Sequence, residues 1–298
     1  MTKKHCGQCA LCGREGELTY EHIPPKSAFN SNPTKLYTGD KLIQNGDRLP
    51  WDVQGLTYLS QQQGSGLYSL CKDCNSKTGT WYGSAYREIA HIIAHSLQAN
   101  KDSTFHGIGI KDVYPQRFIK QVLSMFCSVN DHEALKAFAN PVQVNHTQTL
   151  SPLFQMLIDA QQGLFEASQL MDELRAFVLQ KDAVGLDKDK FRVCMYATRS
   201  PLRKLTGMTS AMDIHETSYV VLSEITAEPL GFLLYFNPPK DFEHTGCDIT
   251  AMADLGYDDK TSIEIPLQIF EMNTYFPNDY RSKKEIERDV QKSKEYLP

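Results

Sequence analysis

Apolar residues return at helical spacing in three stretches in the middle of the chain. The first stripe consists of Tyr82, Tyr86, Ile89, Ile93 and Leu97. A second stripe follows Pro115, a residue that suits the first turn of a helix, and consists of Phe118, Val122, Met125 and Val129. The third stretch reads EASQLMDELRAFVLQK. We therefore expect a helical region between about residues 81 and 181.

Beyond about residue 188 the pattern changes to that of strands. The segments FRVCMYA, SYVVLSEI, LGFLLYF and TSIEIPLQIF are rich in β-branched and aromatic residues, and the last of them alternates apolar and polar positions. Pro266 lies inside this last segment and has no backbone N–H to donate, which predicts an edge strand. Helices followed by strands indicate an α+β fold for this part of the chain.

The N-terminal part is organised differently. A short strand, ELTYEHI, is expected to end at Pro24-Pro25, and a polar excursion over about 30–66 follows it. We expect a small domain over 1–100 with this excursion as a long inserted loop, and a larger helical-then-strand α+β domain over 101–298.

Composition and charge limit the partners of the chain. The 298 residues are 41% hydrophobic and 22% charged, without a run of about 18 apolar residues, so no membrane span is expected. The start, MTKKHCGQC, has no apolar segment behind its lysines, which favours a cytoplasmic protein. Residues 1–100 carry ten Lys and Arg against eight Asp and Glu, whereas the remainder carries 21 against 28. A polyanion would therefore bind on a local patch of the first hundred residues.

Cysteine is concentrated near the start: five of the eight cysteines precede residue 75. In a reducing compartment this favours metal binding over disulfides. Two C-x-x-C pairs offer four thiolates to a tetrahedral zinc ion, and a site closed by four thiolates is structural. The spacing of Cys6 and Cys9 is also that of a pair, but Gly13 permits the tight turn after Cys12 and favours the later one. The predicted zinc ligands are Cys9, Cys12, Cys71 and Cys74.

The order of motifs over about residues 6–90, C-x-x-C-G, E-H-I-P-P and L-C-x-x-C-N-S-K-T-G, resembles that of the HNH endonucleases, the zinc-ribbon-supported branch of the ββα-metal nucleases. The resemblance implies a metal-dependent enzyme that hydrolyses DNA phosphodiester bonds, with double-stranded DNA as its substrate. It implies that His22 is the general base that activates water, and that Glu21 and Asn75 bind a catalytic cation. Carboxylate and amide oxygens are hard ligands, which points to Mg²⁺ or Mn²⁺. It also implies a kink in the strand, so that the carboxylate binds metal while the imidazole faces the water.

Two further features bear on this resemblance. Four basic residues close to the motifs are candidate phosphate contacts, although a solvated basic fringe explains them equally well: Lys26, Lys72, Lys77 and Arg87. The family carries a central Asn about five residues before the second cysteine pair, and this chain has Gly66 at that place.

Residues 101–298 contain no motif of their own that indicates a chemistry. A small HNH domain joined to a larger domain resembles the effectors of bacterial anti-phage systems, which implies that the second domain senses a ligand or binds a partner protein. Two alternatives remain open at this point. One is a zinc-knuckle protein that binds nucleic acid without cutting it, and the other is a protein-interaction module whose zinc is purely architectural.

Overall fold

The computed structural model describes most of the chain, namely residues 4–37, 55, 57–101, 104–138, 152–200, 203–213 and 218–270. Much of the inserted loop that we predict over about 30–66 lies outside these residues, because 38–54 and 56 are not among them. The described part is a mixed α+β structure, as the sequence predicts.

The N-terminal part is a small antiparallel sheet followed by a helix. The sheet has the order β1-β2-β5, with β1 (His5–Gln8) and β5 (Gly66–Cys71) on either side of β2 (Glu15–His22). The chain passes from β5 directly into α1 (Lys72–Trp81), which packs on β2 and β5. Between β2 and β5, a second pair is formed by β3 (Thr34–Leu36) and β4 (Leu59–Gln61).

The helices confirm the three apolar stripes. They are α2 (Gly83–Ala99), α3 (Pro115–Val129), the single turn α4 (His132–Leu135) and α5 (Pro152–Leu179). The helix α5 begins well before the stretch from which we predict it. Among the described residues, no helix combines the length and apolar character that a membrane crossing requires.

The helix α3 lies at the centre of the protein. Every residue of α3 except Arg117 is buried, because α2, α5, β5, β8 (Lys204–Asp213) and β9 (Ser218–Ala227) all pack around it. The predicted stripe on one face is therefore part of a helix that is covered on all sides. Its buried Lys120 ammonium donates to the carbonyls of Gln180 and Lys181 just after α5, at 2.7 and 3.0 Å, and so caps that helix.

The largest sheet among the described residues has seven strands, which are β8, β9, β6 (Phe105–Val113), β7 (Phe191–Thr198), β10 (Leu230–Phe236), β11 (Cys247–Asp248) and β12 (Thr261–Phe270). Its order is β6-β12-β7-β10-β9-β8, with β11 paired to β7. The sequence predicts four of these strands and misses β6, β8 and the two-residue strand β11.

The prediction that Pro266 marks an edge strand is wrong. The strand β12 lies between β6 and β7, and Pro266 pairs with Gly107 of β6. The proline is tolerated because β12 pairs with β7 only at Ile269 and Phe270, so no ladder with β7 exists beside Pro266.

Buried side chains from both predicted domains pack in one hydrophobic cluster. It includes Cys9 and Leu70 from the small sheet, Phe118 from α3 and Phe232 from the large sheet. The Arg175 guanidinium of α5 also donates to the carbonyl of Ala10 at 2.8 Å. The division near residue 100 stays a prediction about sequence organisation, and the small sheet rests directly on the rest of the fold.

Candidate functional site

The two C-x-x-C pairs come together at one end of the small sheet. The four Sγ atoms lie within 4.8 Å of one another, close enough to hold a metal ion. The Cys12 and Cys71 sulfurs are 3.8 Å apart, which is far longer than a disulfide bond and matches the separation of about 3.8 Å that a tetrahedral site with metal–sulfur bonds of about 2.3 Å requires. Four thiolates that bind one tetrahedral ion leave it no open position. The four sulfurs belong to Cys9, Cys12, Cys71 and Cys74.

The chain around the cluster provides donors for negatively charged sulfur. The backbone N–H of Cys71 donates to the Cys9 Sγ at 3.3 Å, and the Arg14 Nε donates to the Cys12 Sγ at 3.4 Å. The turn after Cys12 needs Gly13, whose φ of 71° lies in the left-handed region. Cys6 is exposed on β1 and is not part of the cluster. Of the two possible N-terminal pairs, the one in the cluster is therefore Cys9 and Cys12, as predicted.

Asn75 lies in the first part of α1 and faces β2. Its Nδ2 donates to the Thr19 hydroxyl at 2.9 Å and to the Tyr20 carbonyl at 3.2 Å. Because a carbonyl oxygen only accepts, these contacts fix the orientation of the amide and leave the Asn75 Oδ1 pointing away from the strand. Glu21 follows Tyr20 and shares a face of β2 with Thr19, so its carboxyl lies on the same side as Asn75.

Glu21 is a buried carboxyl for which the described residues provide no partner. It is 6% exposed and makes no hydrogen bond or ion pair with the residues that the structure describes. Loss of hydration raises its pKa to about 8. A carboxylate in such surroundings is costly unless a cation compensates its charge.

His22 ends β2 and is held in one tautomer. Its Nε2 lies 3.1 Å from the carbonyl oxygen of Gln63, so in the neutral ring Nε2 carries the proton and donates it. The Nδ1 lone pair is then free to accept a proton. Loss of hydration, with a contribution from the positive charge of Lys26, lowers the pKa of His22 below its usual value, so the ring is neutral at pH 7. A neutral imidazole with a fixed tautomer is the form that a general base needs.

The kink that we expect between Glu21 and His22 is not present. Both residues continue a regular ladder, with Glu21 opposite Leu67 and His22 opposite Gly66, and the register shift falls between Thr19 and Tyr20. In a regular strand, neighbouring side chains leave opposite faces. Alternation along β2 therefore assigns Glu21 to the face of Thr19, to which Asn75 donates, and the His22 ring lies on the other side, against the edge of the Tyr20 ring.

The absence of an asparagine at position 66 has a steric cause. A β-carbon on Gly66 would lie 2.1 Å from the carbonyl oxygen of Glu21, so no side chain fits there. The asparagine that organises this region is Asn30, which sequence reasoning missed. Its buried amide donates to the carbonyls of Pro24 and Ser65 at 2.5 and 2.8 Å, and its Oδ1 accepts from the Ser65 N–H at 2.8 Å. Asn30 thus fastens the chain after His22 to the chain before β5.

Arg203, just before β8, connects this loop to the large sheet. Its guanidinium donates to the Asn30 Oδ1, to the Ser65 hydroxyl at 2.9 Å and to the Phe29 carbonyl at 2.9 Å. The position of the His22 end of β2 therefore depends on a residue 173 positions away from Asn30 in the chain. No local pattern around Arg203 reveals this role.

The four basic residues near the motifs have different surroundings. Lys77 forms an ion pair with Asp73 at 3.1 Å, and Arg14 forms a second ion pair with the same carboxylate at 3.2 Å. Lys26, Lys72 and Arg87 are exposed and form no ion pair with the described residues. Of these, Lys26 is close enough to His22 for its positive charge to contribute to the lowered pKa of the imidazole.

We expect Asn30→Ala to lower the free energy of unfolding by about 2–4 kcal/mol. The substitution removes the partners of the Ser65 N–H and of two buried carbonyls, and an unsatisfied buried group costs about 1–3 kcal/mol. Chemical denaturation measures the change. The matched control is Asn32→Ala, an exposed residue of the same segment, which should stay within about 0.5 kcal/mol of the wild type. An Asn30 variant as stable as the control would contradict the assigned role.

Comparison of the chain with protein-family models, with curated proteins and with solved structures finds no match in any of the three.

Proposed function

We propose that the protein is a metal-dependent endonuclease that hydrolyses phosphodiester bonds in DNA. The four cysteines hold a structural zinc ion, Glu21 and Asn75 bind a catalytic Mg²⁺ or Mn²⁺, and His22 activates the attacking water. The antiparallel pair β2 and β5 followed by α1 has the strand–strand–helix order expected of an HNH nuclease, and this supports the proposal.

The observation that carries the proposal is the buried carboxyl of Glu21, which has no partner among the described residues and follows the strand residues to which the Asn75 amide donates. A buried carboxyl with no donor is unfavourable in a structure whose only task is to be stable. Two hard oxygen ligands on one face of β2 suit a small divalent cation that keeps several waters. When bound, such a cation acts as a Lewis acid towards the scissile phosphate and stabilises the leaving oxygen.

The position of His22 fits an in-line displacement. The attacking water and the leaving oxygen lie on opposite sides of phosphorus in such a reaction. The strand β2 ends at His22, although the Ile23 N–H still donates to the Ser65 carbonyl at 3.0 Å, and we propose that a phosphate at this strand end has the imidazole on one side and the Glu21 face on the other. The Gln63 carbonyl holds the Nε2 proton, and Nδ1 receives the proton from water. Lys26 supplies a positive charge for the phosphate next to the imidazole.

Zinc is the metal that suits the cysteine cluster. Four thiolates in tetrahedral array are typical of structural zinc, and a reducing compartment such as the cytoplasm keeps the thiols available. The ion joins the turn before β2 to the junction of β5 and α1. It thereby fixes the distance between the strand that carries Glu21 and the helix that carries Asn75.

A neutral replacement of Glu21 tests the cation site. Because the Glu21 carboxyl is protonated near neutral pH without metal, Glu21→Gln should fold like the wild type. We expect zinc-loaded wild-type protein to bind one Mn²⁺ per chain, detected by paramagnetic resonance. Glu21→Gln should weaken Mn²⁺ binding by about a hundredfold or more and abolish DNA cleavage, since even supporting groups around a metal contribute about 10–100-fold.

The matched control is Glu17→Gln, an exposed carboxylate of the same strand that pairs with Lys4. It should bind Mn²⁺ like the wild type. Failure of the wild-type protein to bind Mn²⁺, or equal binding by Glu21→Gln, would remove Glu21 as a metal ligand.

A further inference from the structure

Four aromatic rings form a continuous row on the face of the small sheet that carries His22. The His22 ring contacts the Tyr20 ring edge-on, with centroids 5.1 Å apart, and Tyr20 contacts Tyr68 in the same manner at 5.2 Å. The row ends in a parallel stack of Tyr68 and His5, with centroids 3.6 Å apart and ring planes within 10°. The four residues come from all three strands of the sheet, since Tyr68 lies on β5 and His5 on β1.

The row lies at the surface of the protein. Tyr68 remains 45% exposed although two rings contact it, and the other three residues are partly exposed. The Tyr20 hydroxyl donates to the Gly64 carbonyl at 2.8 Å, which holds its ring in place without covering the row. The Tyr20 ring meets both neighbours edge-on, at 88° and 69°, so the row is not one flat surface, and the ring faces that it can offer to a ligand are those turned away from the neighbouring rings.

Flat rings on an open sheet are the usual means by which proteins hold unpaired bases. Every base has a π-face, so successive bases stack on aromatic side chains with little dependence on sequence. Bases in a duplex are already stacked and paired, and they cannot use such a surface. A duplex would instead need an element that enters a groove or follows the phosphates.

We infer that the row His5, Tyr68 and Tyr20 is a stacking platform for unpaired DNA bases, which leads a single strand to the phosphate-cleaving end of β2 at His22. This inference rests on the proposed nuclease function and specifies its substrate: single-stranded DNA, or a duplex opened next to the cleaved bond, in place of the intact duplex that the sequence resemblance implies. The platform and the proposed base share one sheet face, so a strand whose bases lie on the rings passes its backbone beside His22 and the exposed Lys26.

The test is the binding of a labelled oligonucleotide, measured by fluorescence anisotropy in buffer without Mg²⁺ or Mn²⁺. Wild-type protein should bind a single strand of about twelve nucleotides, a length within the usual range for one such surface, more tightly than the matched duplex. Tyr68→Ala should weaken binding of the single strand about tenfold and leave duplex binding unchanged, since stacking on one ring contributes about five- to hundredfold.

Two further variants separate ring stacking from folding and from the hydroxyl. Tyr68→Phe keeps the ring and should bind like the wild type, whereas Tyr68→Leu keeps apolar bulk without a flat ring and should bind like Tyr68→Ala. Unchanged metal content and thermal unfolding show that each variant is folded. The platform would be overturned if the duplex bound as tightly as the single strand. It would also be overturned if Tyr68→Ala and Tyr68→Leu bound the single strand as tightly as the wild type.

Cleavage assays distinguish failure of the platform from failure of the nuclease proposal. If the wild-type protein cuts DNA but the Tyr68 variants bind and cut single strands normally, the platform is wrong and the nuclease stands. If single-strand binding depends on Tyr68 but no DNA is cut with either cation, the platform stands and the nuclease is wrong.

Discussion

Replacement of His22 by alanine should reduce DNA cleavage by about 10²–10⁴-fold while zinc content and folding stay unchanged. This is the usual contribution of a positioned general base. The reason for assigning it to His22 is its fixed tautomer, in which the Gln63 carbonyl takes the Nε2 proton and leaves Nδ1 as the acceptor. The lowered pKa keeps the ring neutral at pH 7, so the loss should be seen across the neutral range.

Two controls make the result specific. His95→Ala removes an exposed imidazole from α2 and should cleave DNA like the wild type. Free imidazole added to His22→Ala should restore part of the activity, because a small base can occupy the space left by the ring, whereas a purely structural histidine would show no such rescue. Cleavage by His22→Ala at the wild-type rate would exclude His22 as the base.

Cys71→Ser should abolish binding of the proposed zinc ion and unfold the N-terminal part of the protein. A structural zinc ion contributes an apparent binding free energy of about 10–16 kcal/mol in small zinc domains, and a hydroxyl does not replace a thiolate ligand. Cys71 also ends β5, so loss of the ion separates the strand pair from the turn at Cys9 and Cys12. Limited proteolysis should then cut within the first 81 residues, while the large sheet stays protected.

Elemental analysis gives the zinc content of the same preparations. Cys6→Ser is the matched control, because Cys6 is exposed on β1 outside the cluster, and this variant should retain one zinc ion per chain. Zinc retained by Cys71→Ser, or lost by Cys6→Ser, would contradict the assignment of the four ligands.

Local spacing explains which parts of the site could be predicted. The C-x-x-C pairs place two sulfurs on one side of a short turn, and the four thiols do meet in the structure. Asn30 and Arg203 could not be found in this way, because their partners are distant in the sequence. Asn30 donates to Ser65, which is 35 positions away, and Arg203 donates to Asn30, which is 173 positions away. The spacing of residues along the chain carries no signal for such contacts.

The missed strands have a similar explanation. The strand β6 contains two glycines, and β8, KLTGMTSAMD, has few β-branched apolar residues and no clear alternation. Both are strands because they pair with β12 and β9, so tertiary pairing outweighs weak local propensity. The prediction for Pro266 was wrong for a related reason. A proline is tolerated at this position because the pairing of β12 with β7 begins only at Ile269, and the sequence does not show where that pairing begins.

We propose that this chain cuts DNA with a hard divalent cation bound beside a zinc-stabilised strand end. The most direct measurement incubates zinc-loaded wild-type protein with supercoiled plasmid and with circular single-stranded DNA, with and without Mg²⁺ or Mn²⁺. We predict that circles are opened only when one of these cations is present, with the single-stranded circle cut faster. Circles that stay closed in both cations, with one zinc ion confirmed per chain, would contradict the claim.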